Sequence, residues 1–167
     1  MKVQNNNHYI NFHAGLTKQM CREIASCDIT KISHEFSKYS IPTDFKENKI
    51  VAWCCLKCLE LFKNKNLGLP KGIFVTDFKN LKTAESNDVA MTNIAPTQLF
   101  KNKDSVVPEK TIFFNSLDDY WNKIDSFADE NFELGNSPTN YFLDIFLHEF
   151  SHVFHEENLL KKIGGQN

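Results

Sequence analysis

Residues 141–147, Tyr-Phe-Leu-Asp-Ile-Phe-Leu, are apolar on nearly every side of a helix, interrupted only by Asp144. A helix of that kind must be buried over most of its surface, so the remainder of the chain has to wrap around it. Ser137-Pro138 supplies its start. Ser is a good N-cap, and Pro at the first helical position lacks only an N–H that would be unpaired anyway. The spacing predicts one unbroken helix from Pro138 to about residue 158, with Gly164-Gly165 as a stop further on. The run leads directly into His148-Glu149-Phe150-Ser151-His152.

That pentapeptide is where the chemistry concentrates. Residues four apart on an α-helix lie on one face, one turn above the other. His148 and His152 can therefore aim two imidazoles at one ion, with Zn–N bonds of about 2.0–2.1 Å. Glu149 is expected beside them on the same side, where its carboxylate can take a proton from a zinc-activated water without itself being a ligand. His148 and His152 are accordingly the expected metal ligands, Zn2+ the expected cofactor and Glu149 the expected catalytic residue. The alternative is two unrelated histidines on a polar stripe.

The chain carries an internal control. His34-Glu35-Phe36-Ser37-Lys38 repeats four letters of the motif but puts Lys where the second His belongs. It cannot form the two-His clamp and reads as an ordinary amphipathic helix. His155 shares the face of His148, yet seven residues of helix span about 10 Å, too far for one ion to bridge comfortably. Glu156 and Glu157 meet the same difficulty and read as a solvated helix end. Asp144, one turn before His148, is a polar residue in an apolar run and needs a partner. It can orient a ligand imidazole or pair locally. Tyr120 and Tyr141 carry nothing that singles either out as an oxyanion donor.

The earlier chain reads as a mixture of helix and strand. Two short helices are expected within 15–40. Met20, Ile24 and Ala25 share a stripe of the first, and Asp28 caps the second, which places Ile29, Ile32 and Phe36 together. A stronger helix, Asn48 to Asn64, repeats Val51, Cys54, Cys55, Cys58, Leu61 and Phe62 at three- and four-residue spacing. Strands are expected at Ile73–Phe78, Val89–Ile94 and Thr111–Phe114. Residues 95–110 read as an exposed loop, Leu117–Phe127 as a helix and Glu130–Asn136 as a connector. The expected fold is α+β, predominantly helical, with a small sheet against the motif helix. The division drawn is 1–45, an N-terminal helical segment, and 46–167, the core.

Composition removes several function classes. Net charge is −2 with no Lys/Arg block, which gives no footprint for nucleic acid or anionic lipid. No apolar run is long enough to span a bilayer. The polar start Met1-Lys2-Val3-Gln4 has no signal-peptide pattern, so the expected location is cytoplasmic, or outside by a route needing no such signal. Five cysteines, an odd number, argue against a disulfide framework. Cys54, Cys55 and Cys58 lack a second pair at metal-binding spacing and read as buried thiols.

Over residues 46–163 the chain resembles the core of a zincin metallopeptidase, in its small gluzincin-like form. Those proteins have a backing helix, a small sheet and then the HExxH helix, and the order expected here is similar. The resemblance implies a zinc metalloendopeptidase acting on a peptide or protein substrate, with the strand at Thr111–Phe114 free to align an extended substrate by edge pairing. It also implies a third protein ligand. Gluzincins take a Glu from a later helix, and metzincins a His six residues past the second His, where this chain has Asn158. Two His alone hold zinc weakly. The ending Gly164-Gly165-Gln166-Asn167 reads as the start of another element, so the core is expected to be incomplete at its C-terminus and this chain by itself to be a poor enzyme. The alternatives are a catalytically inactive zincin-like binding or structural module, and a metal hydrolase of a non-peptide bond.

Overall fold

Asp28 and Asn48 set the first part of the architecture. The computed structural model describes residues 18–64, 68–86, 88–116 and 145–153. After α1 (Lys18–Ser26), Asp28 opens α2 (Ile29–Ser37) by accepting from the N–H groups of Thr30 and Lys31. Asn48 opens α3 (Lys49–Lys63) by accepting from the N–H of Val51 at 3.0 Å. Each cap satisfies backbone donors that a helix start leaves unpaired. The expected rotation of α1 is off by part of a turn. Ile24 is buried as anticipated, but Ala25 is exposed.

The turn after α2 holds a specific conformational strain. Ile41 N–H bonds back to Phe36 O at 3.2 Å and Ser40 N–H to Ser37 O at 3.0 Å. This six-to-one and five-to-two pair is a Schellman ending, with Ser40 left-handed at φ 59° and Ile41 buried beyond it. Glycine takes that conformation without the Cβ penalty. Ser40→Gly is therefore expected to raise stability by about 0.5–1 kcal/mol, net of the entropy glycine adds to the unfolded chain. A urea titration checks it, and an unchanged or lower midpoint refutes it.

Four strands form one sheet in the order β1-β2-β4-β3: β1 (Thr43–Asp44), β2 (Gly72–Thr76), β3 (Ala90–Asn93) and β4 (Thr111–Asn115). β1 and β4 run parallel to β2, while β3 runs antiparallel to β4. β1 was not anticipated, because two residues show no periodicity. β2 is shorter than expected: Asp77 caps a 3-10 turn at Phe78–Asn80, accepting from Lys79 N–H at 3.0 Å. β4 corrects a further expectation. It lies between β2 and β3 and has no free edge, so it cannot align a substrate by edge pairing. All five of its residues are buried, as suits an interior strand covered on both faces.

Residue alternation gives the sheet two different faces. Ile73, Val75, Ile112 and Phe114 share one core cluster with α3 and with residues 145–153, which are helical and are designated α4. The same cluster holds Ile32, Phe36, Ile41 and Phe45 from earlier in the chain. The opposite face carries Phe113 and half-buried Phe74, under Phe78, Leu81, Leu99 and Val107. Residues 95–110 are thus only partly the exposed loop expected. Residues 101–106 are exposed, but Leu99 and Val107 are buried and pin the ends of the loop to the sheet. Asn93 reinforces this by donating its amide to the carbonyls of Val107 and Pro108 at 3.1 and 3.0 Å.

α3 lies between these layers, which explains its burial. Ile50 through Cys55 are buried in one unbroken run, because α1 and α2 cover one side and the sheet the other. Cys54, Cys55 and Cys58 are fully buried free thiols, as the sequence led one to expect, and Cys21 and Cys27 are half-buried. Burial pushes all three buried thiols above the usual thiol range, with their mutual charge repulsion adding to the shift at Cys54 and Cys55. Among the described residues no helix is long and apolar enough to cross a membrane. The helix expected at Leu117–Phe127, the connector at Glu130–Asn136, the Ser137-Pro138 start and the Gly164-Gly165 stop lie outside the described residues.

Candidate metal centre

Three aromatic and aliphatic side chains fix the rotation of α4. Phe146, Phe150 and Val153 recur at helical spacing and are buried. Phe146 stacks on Phe114 of β4 with ring centroids 4.8 Å apart, and Phe150 stacks on Phe62 of α3 at 5.7 Å. With that stripe held against sheet and backing helix, His148 and His152 fall on the opposite side of the cylinder. Both are exposed. Glu149 does not share their side as expected: one residue past His148 it turns about 100° toward the flank of the buried stripe and is 6% exposed.

The two histidines converge. Their Nε2 atoms are 2.9 Å apart and their rings, with centroids at 4.4 Å, stand nearly perpendicular at 89°. Such a pair can share a proton or accept one cation between its lone pairs. With Zn–N bonds of about 2.0–2.1 Å, a 2.9 Å separation subtends roughly 90° at the ion. A tetrahedral site needs about 3.3 Å, so the exposed rings would open by about 0.4 Å. The donor chemistry fits zinc. The number of donors is two: among the described residues no group of three His, Cys, Asp or Glu side chains is poised around one point. Asp144, His155, Glu156, Glu157, Tyr120 and Tyr141 lie outside the described residues.

Glu149 is held by a residue that the sequence did not single out. Thr92 of β3 donates its hydroxyl to Glu149 Oε2 in a short hydrogen bond. The same hydroxyl lies 3.4 Å from the backbone carbonyl of Glu149. The register explains the meeting. Thr92 pairs with Ile112 of β4, whose side chain faces the cluster containing α4, so Thr92 is directed to that face too. Fifty-seven residues separate Thr92 from Glu149. Alternation within Val89–Ile94 puts Thr92 and Ala90 on one face, but nothing local indicates which layer that face will meet. Glu149 Oε1 has no hydrogen-bond partner among the described residues.

The incomplete copy of the motif behaves differently. His34 is exposed, and Glu35 forms a 2.7 Å surface ion pair with Lys38, the residue that replaces the second His. That pair holds the Glu35 carboxyl below its usual range. Phe36 is buried in the position corresponding to Phe150. The two copies thus share an apolar anchor and differ in what surrounds the carboxylate: open solvent and a lysine for Glu35, the protein interior and a threonine hydroxyl for Glu149.

Comparison with known protein families, with curated proteins and with solved structures gave no match. The functional reading is therefore carried by the residues themselves.

Proposed function

We propose that this chain is a zincin-like zinc metallopeptidase, with His148 and His152 as metal ligands and Glu149 as general base. The observation that carries the proposal is the 2.9 Å approach of the two imidazole Nε2 atoms on an exposed helix face. Two features support it. A buried carboxylate with one oxygen free of partners among the described residues stands next to the first His in sequence. The order α3, then β2, β3 and β4, then α4, with β1 ahead of α3, is compatible with the resemblance to small zincins.

Bound zinc would supply a Lewis acid that polarises a peptide carbonyl and makes a water acidic near pH 7. Glu149 would serve there as the base toward water and as the acid toward the leaving amine. β3, with β4 on one side, is one of the two edges of the sheet among the described residues, β1 being the other. Its outer N–H and C=O groups suit an extended peptide, the role that β4 cannot fill. The tie between Glu149 and Thr92 favours a second reading, a zincin-like module in which the carboxylate is structural and the chain binds a partner.

Zinc titration of the metal-free protein is the direct test. Wild type should take up one ion weakly and reversibly, because the described residues bring two nitrogens together and two are a sparse ligand set. His148→Ala and His152→Ala should each abolish uptake without unfolding, since both rings are exposed. A wild type that takes up no zinc removes the metal centre and the peptidase with it.

A further inference from the structure

The geometry points to Thr92 as a positioning residue for Glu149, an inference that rests on the peptidase reading above. A carboxylate buried beside Phe146, Phe150 and Val153 is costly unless hydrogen-bonded. Thr92 is the partner that the described residues provide. A hydroxyl has one hydrogen, so its short contact with Oε2 is the bond it makes, and the carbonyl at 3.4 Å is a secondary contact. The consequence is directional. With Oε2 engaged on the sheet side, the carboxylate cannot spin freely, and Oε1 remains the oxygen available to accept a proton.

Threonine suits this role in a strand. Its β-branch restricts χ1, so the hydroxyl direction is set by the backbone of β3 rather than by a mobile side chain. The antiparallel pairing of β3 with β4 in turn fixes that backbone, and β4 carries the Phe114 on which Phe146 of α4 stacks. The base is thereby referenced to the same sheet that sets the height and rotation of its helix. β3 also supplies the edge proposed above for the substrate, so one strand would align the peptide and the group that acts on it.

The test compares Thr92→Val, Thr92→Ser and wild type in the full chain. Zinc uptake should be equal in all three, because Thr92 is not a ligand. With zinc present and fluorescein-labelled casein as probe, Thr92→Val should lower kcat at least tenfold with KM within twofold. Thr92→Ser, which restores the hydroxyl, should recover most of the loss. A readout independent of activity is the urea midpoint of the metal-free protein. Thr92→Val should lower it when Glu149 is present and scarcely move it in a Glu149→Met background, where no carboxylate is left without a partner. If wild type cleaves the probe and Thr92→Val keeps its kcat, the positioning role is overturned and the peptidase reading stands. If wild type binds no zinc or does not cleave with zinc bound, both fall, and a surviving coupling in urea marks the Thr92–Glu149 bond as purely structural.

Discussion

Replacing Glu149 with Gln should leave zinc uptake within about twofold of wild type while lowering turnover by about 10²- to 10⁴-fold, the range for loss of a positioned general base. The dissociation follows from the geometry. The two nitrogens that converge belong to His148 and His152, and the carboxylate of Glu149 lies on the buried flank, bonded to Thr92. Its proposed role is therefore to move a proton rather than to hold the ion. His148→Ala is the contrasting variant and should lose both properties. Elemental analysis beside a casein assay, on wild type and both variants, reads the two quantities separately. A Glu149→Gln protein that loses its zinc would make Glu149 a ligand. One that keeps full turnover would end its role as base and leave the binding-module reading in its place.

Alkaline pH should unfold this protein unusually steeply. Cys54, Cys55 and Cys58 are fully buried, and burial raises each thiol above the usual value of 9.0. The folded form keeps all three protonated where the unfolded chain has begun to lose them. A raised folded pKa contributes stability that is fully present below the unfolded pKa and is lost as pH rises toward the folded one. Above about pH 9 each thiol should remove about 1.4 kcal/mol per pH unit, and three together about 4. A domain of ordinary stability, about 5–15 kcal/mol, loses much of it within two units. Urea unfolding at intervals between pH 7 and pH 10 measures the slope. Cys58→Ala isolates the cause: whatever the cavity costs at neutral pH, the slope above pH 9 should flatten by about a third. An unchanged slope would assign the pH dependence to other groups.

Much of this structure was legible locally. Asp28 announced the helix start it caps, because a short acceptor side chain before an apolar-periodic run has a single common use. The cysteine stripe of α3 and the β-branched and aromatic runs at β2 and β4 were legible from periodicity and shape. The misreadings had a different origin. Whether a strand is interior or edge depends on its neighbours: the run Thr111–Phe114 reads by itself as a free edge, and β2 and β3 flank it on both sides. The 95–110 loop looked wholly solvated because its Lys and Asp outnumber Leu99 and Val107, the two residues that anchor it.

The candidate site divides in the same way. The sequence by itself determined that His148 and His152 lie one turn apart on one face of the motif helix, since four-residue spacing on a helix leaves no other arrangement. It determined equally that the copy at His34 lacks a second imidazole. The tertiary structure decided which way α4 turns: stacking of Phe146 on Phe114 and Phe150 on Phe62 sends the histidines outward and Glu149 inward. It alone brought Thr92 to Glu149, because strand register and layer packing join residues that no local pattern relates. Helix spacing is a property of covalent geometry and local hydrogen bonding, written into any short stretch of chain. The partner of a buried carboxylate is chosen only when distant elements exclude water together.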